Sequence, residues 1–114
     1  MKNFAGLLYY DESENEHLDV ADFIVRDDAV SFAFDSVSAE FGRWKAAGLA
    51  RLSEGNVFRA EQIIPSQRGV PGDPWAIEFR VELVGDSVYV EGMINADRST
   101  HPFSGDLDRK INVR

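Results

Sequence analysis

The sequence predicts an all-β protein, an eight-stranded antiparallel up-and-down barrel, with a two-sheet β-sandwich as the alternative. Three observations carry that expectation. Apolar residues recur with period two along most of the chain, not with the period of a helix. Turn-forming pairs and triplets separate these runs at hairpin spacing. Eight consecutive strands is also a number at which a sheet closes on itself and loses its exposed edges.

The chain has 114 residues, which suits one domain spanning 1–114. With 44% hydrophobic and 11% aromatic residues, it can fill a core of that size. "NFAGLLYY" (3–10) reads as the first strand and "LDVADFIVR" (18–26) as the second. Asp27-Asp28 turns the chain into "AVSFAFD" (29–35), the third strand, with Val30, Phe32 and Phe34 on its core face.

In "RWKAAGLARL" (43–52), Trp44, Ala46, Gly48, Ala50 and Leu52 share one face. Arg43, Lys45 and Arg51 share the other. The alanines invite a helix, but Gly42, Gly48 and the alternating charges favour a fourth strand. "EGN" (54–56) suits a three-residue hairpin loop, which aligns Leu52 with Phe58, Ala50 with Ala60 and Ala46 with Ile64.

"WAIEFRVEL" (75–83) alternates without a fault: Trp75, Ile77, Phe79, Val81 and Leu83 point one way. Gly85-Asp86 has the chemistry of a two-residue hairpin loop. That loop sets Leu83 against Val88, Val81 against Val90, Phe79 against Gly92 and Ile77 against Ile94 in "SVYVEGMIN" (87–95). Arg80 meets Glu91 on the outer face, and a one-residue slip destroys both sets of matches. For the eighth strand, "HPFSGDLD" (101–108), a four-residue loop at 97–100 aligns Ile94 with Phe103, Gly92 with Gly105 and Val90 with Leu107.

In a meander the connections alternate between the two ends of the barrel. Those at 27–28, 54–56 and 85–86 are tight; those at 11–17, 36–42, 65–73 and 97–100 are longer and share one end. Function commonly rides on such loops and in barrel mouths. Tyr10 (or its neighbour Tyr9), Phe34, Trp44, Ile64, Trp75 and His101 fall at that end, the two tryptophans in the inward phase. Tyr10, Phe34, Trp44, Ile64, Trp75 and His101 are candidate ligand-binding residues for a small apolar or aromatic ligand or peptide. The bland reading is that small barrels fill their interiors, so that the tryptophans plug the end.

As architecture, eight meander strands with an aromatic mouth resemble the calycin group, the lipocalins and avidins. "FGRW" (41–44) contains the Gly-x-Trp of lipocalins, as Gly42 and Trp44. In lipocalins that motif lies near the first strand at the closed end, whereas here it opens the fourth strand. The resemblance implies a binding protein, not an enzyme.

The acidic stretch "YYDESENEHLD" (9–19) poses the question of a metal. Asp11, Glu12, Glu14, Glu16 and His17 offer oxygen ligands and one imidazole, with His101 the only other histidine. The stretch lacks the glycine and the spacing of a calcium loop, and zinc wants either a second histidine, which only His101 at the same long-loop end could supply, or a histidine with well-spaced carboxylates. It reads as a solvated loop, and no metal or cofactor is expected. Ser104 lacks the strand-to-helix setting of a nucleophile elbow, and "RGVPGD" (68–73) precedes a strand, so it is no phosphate cradle. No enzyme is expected.

Net charge is −8, from 20 acidic and 12 basic residues. Nucleic acid and anionic membranes are disfavoured as partners, and a basic protein is favoured. Glu91, Asp106 and Asp108 form a candidate partner-binding cluster on the outer face, as in an inhibitor or immunity protein against a basic target; three solvated carboxylates are the plainer reading. The absence of cysteine excludes disulfides and thiolate chemistry. No leader pattern and no bilayer-length apolar run is found, so a cytoplasmic location is expected.

Overall fold

A computed structural model describes residues 2–12, 16–38, 42–67, 70–96 and 99–110. Among these described residues ten strands follow in order: β1 Lys2–Tyr10, β2 His17–Val25, β3 Ala29–Ser38, β4 Gly42–Glu54, β5 Val57–Ile63, β6 Ser66–Gln67, β7 Val70–Pro71, β8 Trp75–Val84, β9 Ser87–Ala96 and β10 Ser99–Arg109. Eight of them form the ring β3-β2-β1-β10-β9-β8-β5-β4, which the β3–β4 ladder closes. The architecture is a closed antiparallel meander barrel, not an open sandwich. The two-residue β6 and β7 form a spur, with Ser66 paired to Lys45 of β4. No helix among the described residues is long and apolar enough to cross a membrane.

The β8–β9 hairpin has the register its loop dictates, with Leu83 opposite Val88, Phe79 opposite Gly92 and Arg80 opposite Glu91. Gly85 takes the left-handed conformation (φ 60°) that this turn needs and that a side chain resists. β4 is a strand throughout, and its small residues face large ones on β3. Val30 lies opposite Ala50, Phe32 opposite Gly48, Phe34 opposite Ala46 and Ser36 opposite Trp44. The alanines that resemble a helix are thus the space into which β3 packs.

Phenylalanine fills the barrel. Phe79 lies 5.3 Å from Phe23, 6.0 Å from Phe58 and 6.2 Å from Phe32, ring centre to ring centre. Gly92 makes room for it, since a Cβ there would overlap the Glu78 carbonyl and the Phe79 side chain.

Four details differ from the sequence expectation. The β9–β10 register is offset by two residues: Phe103 faces Gly92, Gly105 faces Val90 and Leu107 faces Val88. The strands run on to the pair Ala96–Ser99, so that connection is short, while positions 97 and 98 lie outside the described residues. An even offset leaves every side chain on its expected face, which is why alternation alone does not detect it. Phe103, not Gly105, therefore flanks Gly92 opposite Phe79.

Secondly, the β4–β5 turn is Gly55-Asn56, with Glu54 paired to Val57 and an irregularity after Leu52. Thirdly, β5 bulges between Ala60 and Ile63 against β8, with Gln62 at φ 61°. The extra residue inverts the alternation, so Ile63 is 5% exposed and Ile64 is 44% exposed. Finally, Leu52 and Leu83 keep their phase but overhang the core at the tight-turn end and are exposed.

A further bulge lies in β2, where Val20 faces Phe34 but Asp22 faces Ala33. It returns Phe23 to the core after Leu18 and Val20. Asn3 repairs the broken ladder: its Oδ1 accepts the Phe23 N–H at 3.0 Å and its Nδ2 donates to Asp22 at 2.9 Å. Lys110 Nζ donates to the Ala21 carbonyl and to Asp22, both at 2.9 Å.

Candidate functional site

The barrel mouth gathers the ends of β1, β4, β8 and β10, but the six expected residues divide by depth. Trp44 is 4% exposed and Phe34 is 2% exposed, stacked on Phe32 at 4.9 Å. Both belong to the core. Trp75 is half-buried and meets Trp44 edge to face. Tyr10 and His101, on the neighbouring strands β1 and β10, are half-buried, with ring centres 6.4 Å apart. Ile64 is turned outward by the β5 bulge and lies off the mouth. The rim thus holds Tyr10, Trp75 and His101 above a floor closed by Trp44.

A polar cluster joins this rim. His101 Nδ1 lies 3.3 Å from Glu12 Oε1, and its Nε2 lies 2.9 Å from Ser99 Oγ. Ser99 Oγ is also 2.9 Å from the Ala96 carbonyl. Burial, reinforced by the charges of Glu16 and Glu12, pushes the Tyr10 phenol well above its ordinary range, so it stays protonated. Asp11 meets β10 too: its N–H donates to the Pro102 carbonyl at 3.0 Å, and its Oδ1 accepts from Ser104 Oγ at 3.4 Å.

The acidic loop does not unite the two histidines. His17 lies on the outer face beside Tyr9, 3.1 Å from Asp19, while His101 belongs to the inner rim. Glu14 lies outside the described residues. Among the described residues no three His, Asp or Glu side chains gather as metal ligands.

The outer face of β8, β9 and β10 is the second candidate. Tyr89 lies between Glu82 and Asp106, Glu91 lies between Arg80 and Ser104, and Ser87 lies between Val84 and Asp108. The two-residue offset therefore separates Glu91 from Asp106, which the expected alignment of Gly92 with Gly105 sets opposite each other. Tyr89 Oη donates to Glu91 at 3.3 Å, and Ser87 Oγ donates to Asp108 at 2.9 Å. Partial burial, with the Glu91 hydrogen bond and the charges of Glu91 and Asp106, raises the Tyr89 phenol. Among the described residues none of Glu82, Glu91, Asp106 and Asp108 is ion-paired; Arg59–Glu78, Arg43–Asp35 and Arg109–Asp86 are.

Sequence reasoning passed over Ser99 and Glu12 as members of the His101 cluster. The signal for Ser99 is its spacing, two residues from His101 on one strand, which puts both side chains on one face. Glu12 reaches the site only through the β1–β10 ladder. No protein-family model matches the chain, and no curated protein matches it.

Proposed function

We propose that the protein is an acidic interaction module that engages a basic protein through the outer face of β8–β9–β10. The observation that carries this reading is the Glu82–Tyr89–Asp106 row, flanked by Glu91 and Asp108, whose carboxylates form no ion pair among the described residues although Arg80 lies across from Glu91. A half-buried tyrosine among acids that form no ion pair offers a contact surface and a predominantly negative field. The net charge of −8 extends that field and steers a basic partner. A barrel filled by the cluster around Phe79 supports an outer surface over an interior cavity as the working site. An inhibitor or immunity protein of the cytoplasm, neutralising a basic target, is the kind of role this surface suits.

Affinity capture from lysate at low and high salt tests the reading with two charge-reversed variants. Glu91→Lys/Asp106→Lys alters the proposed face; Asp27→Lys/Asp28→Lys changes net charge equally at the β2–β3 turn. The expected result is a salt-sensitive partner that the first variant loses and the second keeps. Equal loss from both leaves only net charge and sinks the assignment to this face.

The half-buried rim of Tyr10, Trp75 and His101 favours a second reading, a calycin-like role in holding a small flat ligand across the mouth. Tryptophan quenching by a compound released from the purified protein, abolished in Trp75→Ala, is its test. No co-purifying compound and no quenching count against it.

A further inference from the structure

We infer that Ser99, His101 and Glu12 form a hydrolytic triad at the barrel mouth, directed at small aryl esters. Nucleophile, base and orienting carboxylate are recognised by geometry, not by chain order. Here Ser99 Oγ is 2.9 Å from His101 Nε2, and His101 Nδ1 is 3.3 Å from Glu12 Oε1. A carboxylate can only accept, so the Nδ1 that faces Glu12 carries the proton. In the neutral ring Nε2 then presents its lone pair to Ser99, as a general base must. The serine hydroxyl has two acceptors at 2.9 Å, the Ala96 carbonyl and Nε2. Rotation about one bond swings its proton between them.

The surroundings set the substrate class. Ser99 pairs with Ala96, and Ala96 pairs on its other side with Trp75. The indole therefore lies two strands from the nucleophile on the same row, half-buried and braced edge-on by Trp44. Tyr10 stands edge-on to the His101 ring. An aryl group resting against Trp75 brings an ester carbonyl over Ser99.

The reaction balances with water alone. Ser99 Oγ bonds to the ester carbonyl carbon while its proton passes to His101 Nε2. The bond from that carbon to the aryloxy oxygen breaks, and the leaving phenol takes the Nε2 proton. Water then attacks the acyl-serine, gives its proton to Nε2, and the Ser99 ester bond breaks; Oγ takes that proton back as the acid departs. Glu12 is a positioning residue, which holds the tautomer and the ring.

Phenylmethanesulfonyl fluoride labelling and 4-nitrophenyl acetate hydrolysis test the proposal on the full chain. The expected result is a single sulfonyl adduct mapped to Ser99 by mass spectrometry, absent from Ser99→Ala. His101→Gln should slow labelling by about a hundredfold, with the thermal melt unchanged. Glu12→Gln should lower kcat with KM unchanged, and Glu12→Asp should restore part of it. The chain lacks cysteine, so the Ser99→Cys variant carries a sole thiol. That thiol should alkylate with iodoacetamide at least about tenfold faster than the one in the exposed control Ser53→Cys, and adding His101→Gln should abolish the difference. Four results overturn the triad: no adduct, an adduct on other serines, ester hydrolysis that persists in Ser99→Ala, or a Ser99→Cys thiol that reacts no faster than the control.

Discussion

Trp44 and Trp75 meet edge to face, with ring centroids 4.8 Å apart and planes at 81°. The contact is asymmetric. Trp44 lies opposite Ser36 on the neighbouring strand and is shielded from water, whereas Trp75 keeps one side open at the rim. Trp44→Ala should cost about 3–5 kcal/mol, because a large ring leaves a cavity. Trp75→Ala should cost roughly half as much, because less of its surface leaves water on folding. Denaturant melts of the two variants compare them directly, and equal losses would mean that the mouth is plugged by both rings alike.

The β5 bulge makes neighbouring isoleucines unequal. Ile63 packs into the space beside Gly48, while Ile64 faces water. Ile63→Ala should lose about 2–5 kcal/mol, and Ile64→Ala less than about 1 kcal/mol. Gln62 holds a left-handed backbone that costs a side chain about 1 kcal/mol, so Gln62→Gly should be neutral or stabilising within a strand that otherwise disfavours glycine. A stability loss in Gln62→Gly, measured by urea titration, would contradict the bulge.

These bulges mark the boundary of what the sequence discloses. The β8–β9 hairpin is legible because Gly85-Asp86 fixes both turn and register, and the alternation on either side has one solution. β4 is legible because its charges alternate. The β2 and β5 bulges are not, since an inserted residue leaves composition unchanged and only reverses the phase beyond it. The β2 bulge depends on Asn3 and Lys110, far from it in sequence. The β9–β10 register is ambiguous because Gly92 accommodates either a glycine or Phe103 beside it. The mouth cluster is half legible: Ser99 and His101 share a strand face, but Glu12 arrives from a loop at the other end of the chain.

Gly92 tests that register. It lies between Phe79 and Phe103, and its missing Cβ would meet the Glu78 carbonyl, which is backbone and cannot rotate away. Gly92→Ala should destabilise by about 1–3 kcal/mol through overpacking. Gly55→Ala, at the β4–β5 turn where no atom lies within 4 Å of the added carbon, should lose only the backbone preference of its φ of 59°. A Gly92→Ala variant as stable as wild type in thermal melts would remove the close approach on which the row is built.

The Asn3–Asp22–Lys110 cluster should give the protein a distinct acid response. The hydrogen bonds from Asn3 and Lys110 hold the Asp22 carboxyl below its usual range. A carboxyl that is more acidic in the folded state stabilises fully above its unfolded pKa of about 3.9, and that contribution disappears as pH falls through the folded value. Asp35 behaves in the same sense through its hydrogen bond from Arg43. Asp22 is about half exposed, so solvent screening keeps its contribution under about 1 kcal/mol. Asp22→Asn should therefore match wild type at pH values below both pKa values and fall slightly behind it near neutrality. Asn3→Ala should differ in kind, because it also strips the Phe23 N–H of its acceptor within the barrel wall. That loss, about 1–3 kcal/mol, should persist at low pH. Urea melts of the three proteins across the acid range separate a charge effect from a backbone one, and an Asn3→Ala deficit that vanished in acid would assign the whole effect to the carboxylate.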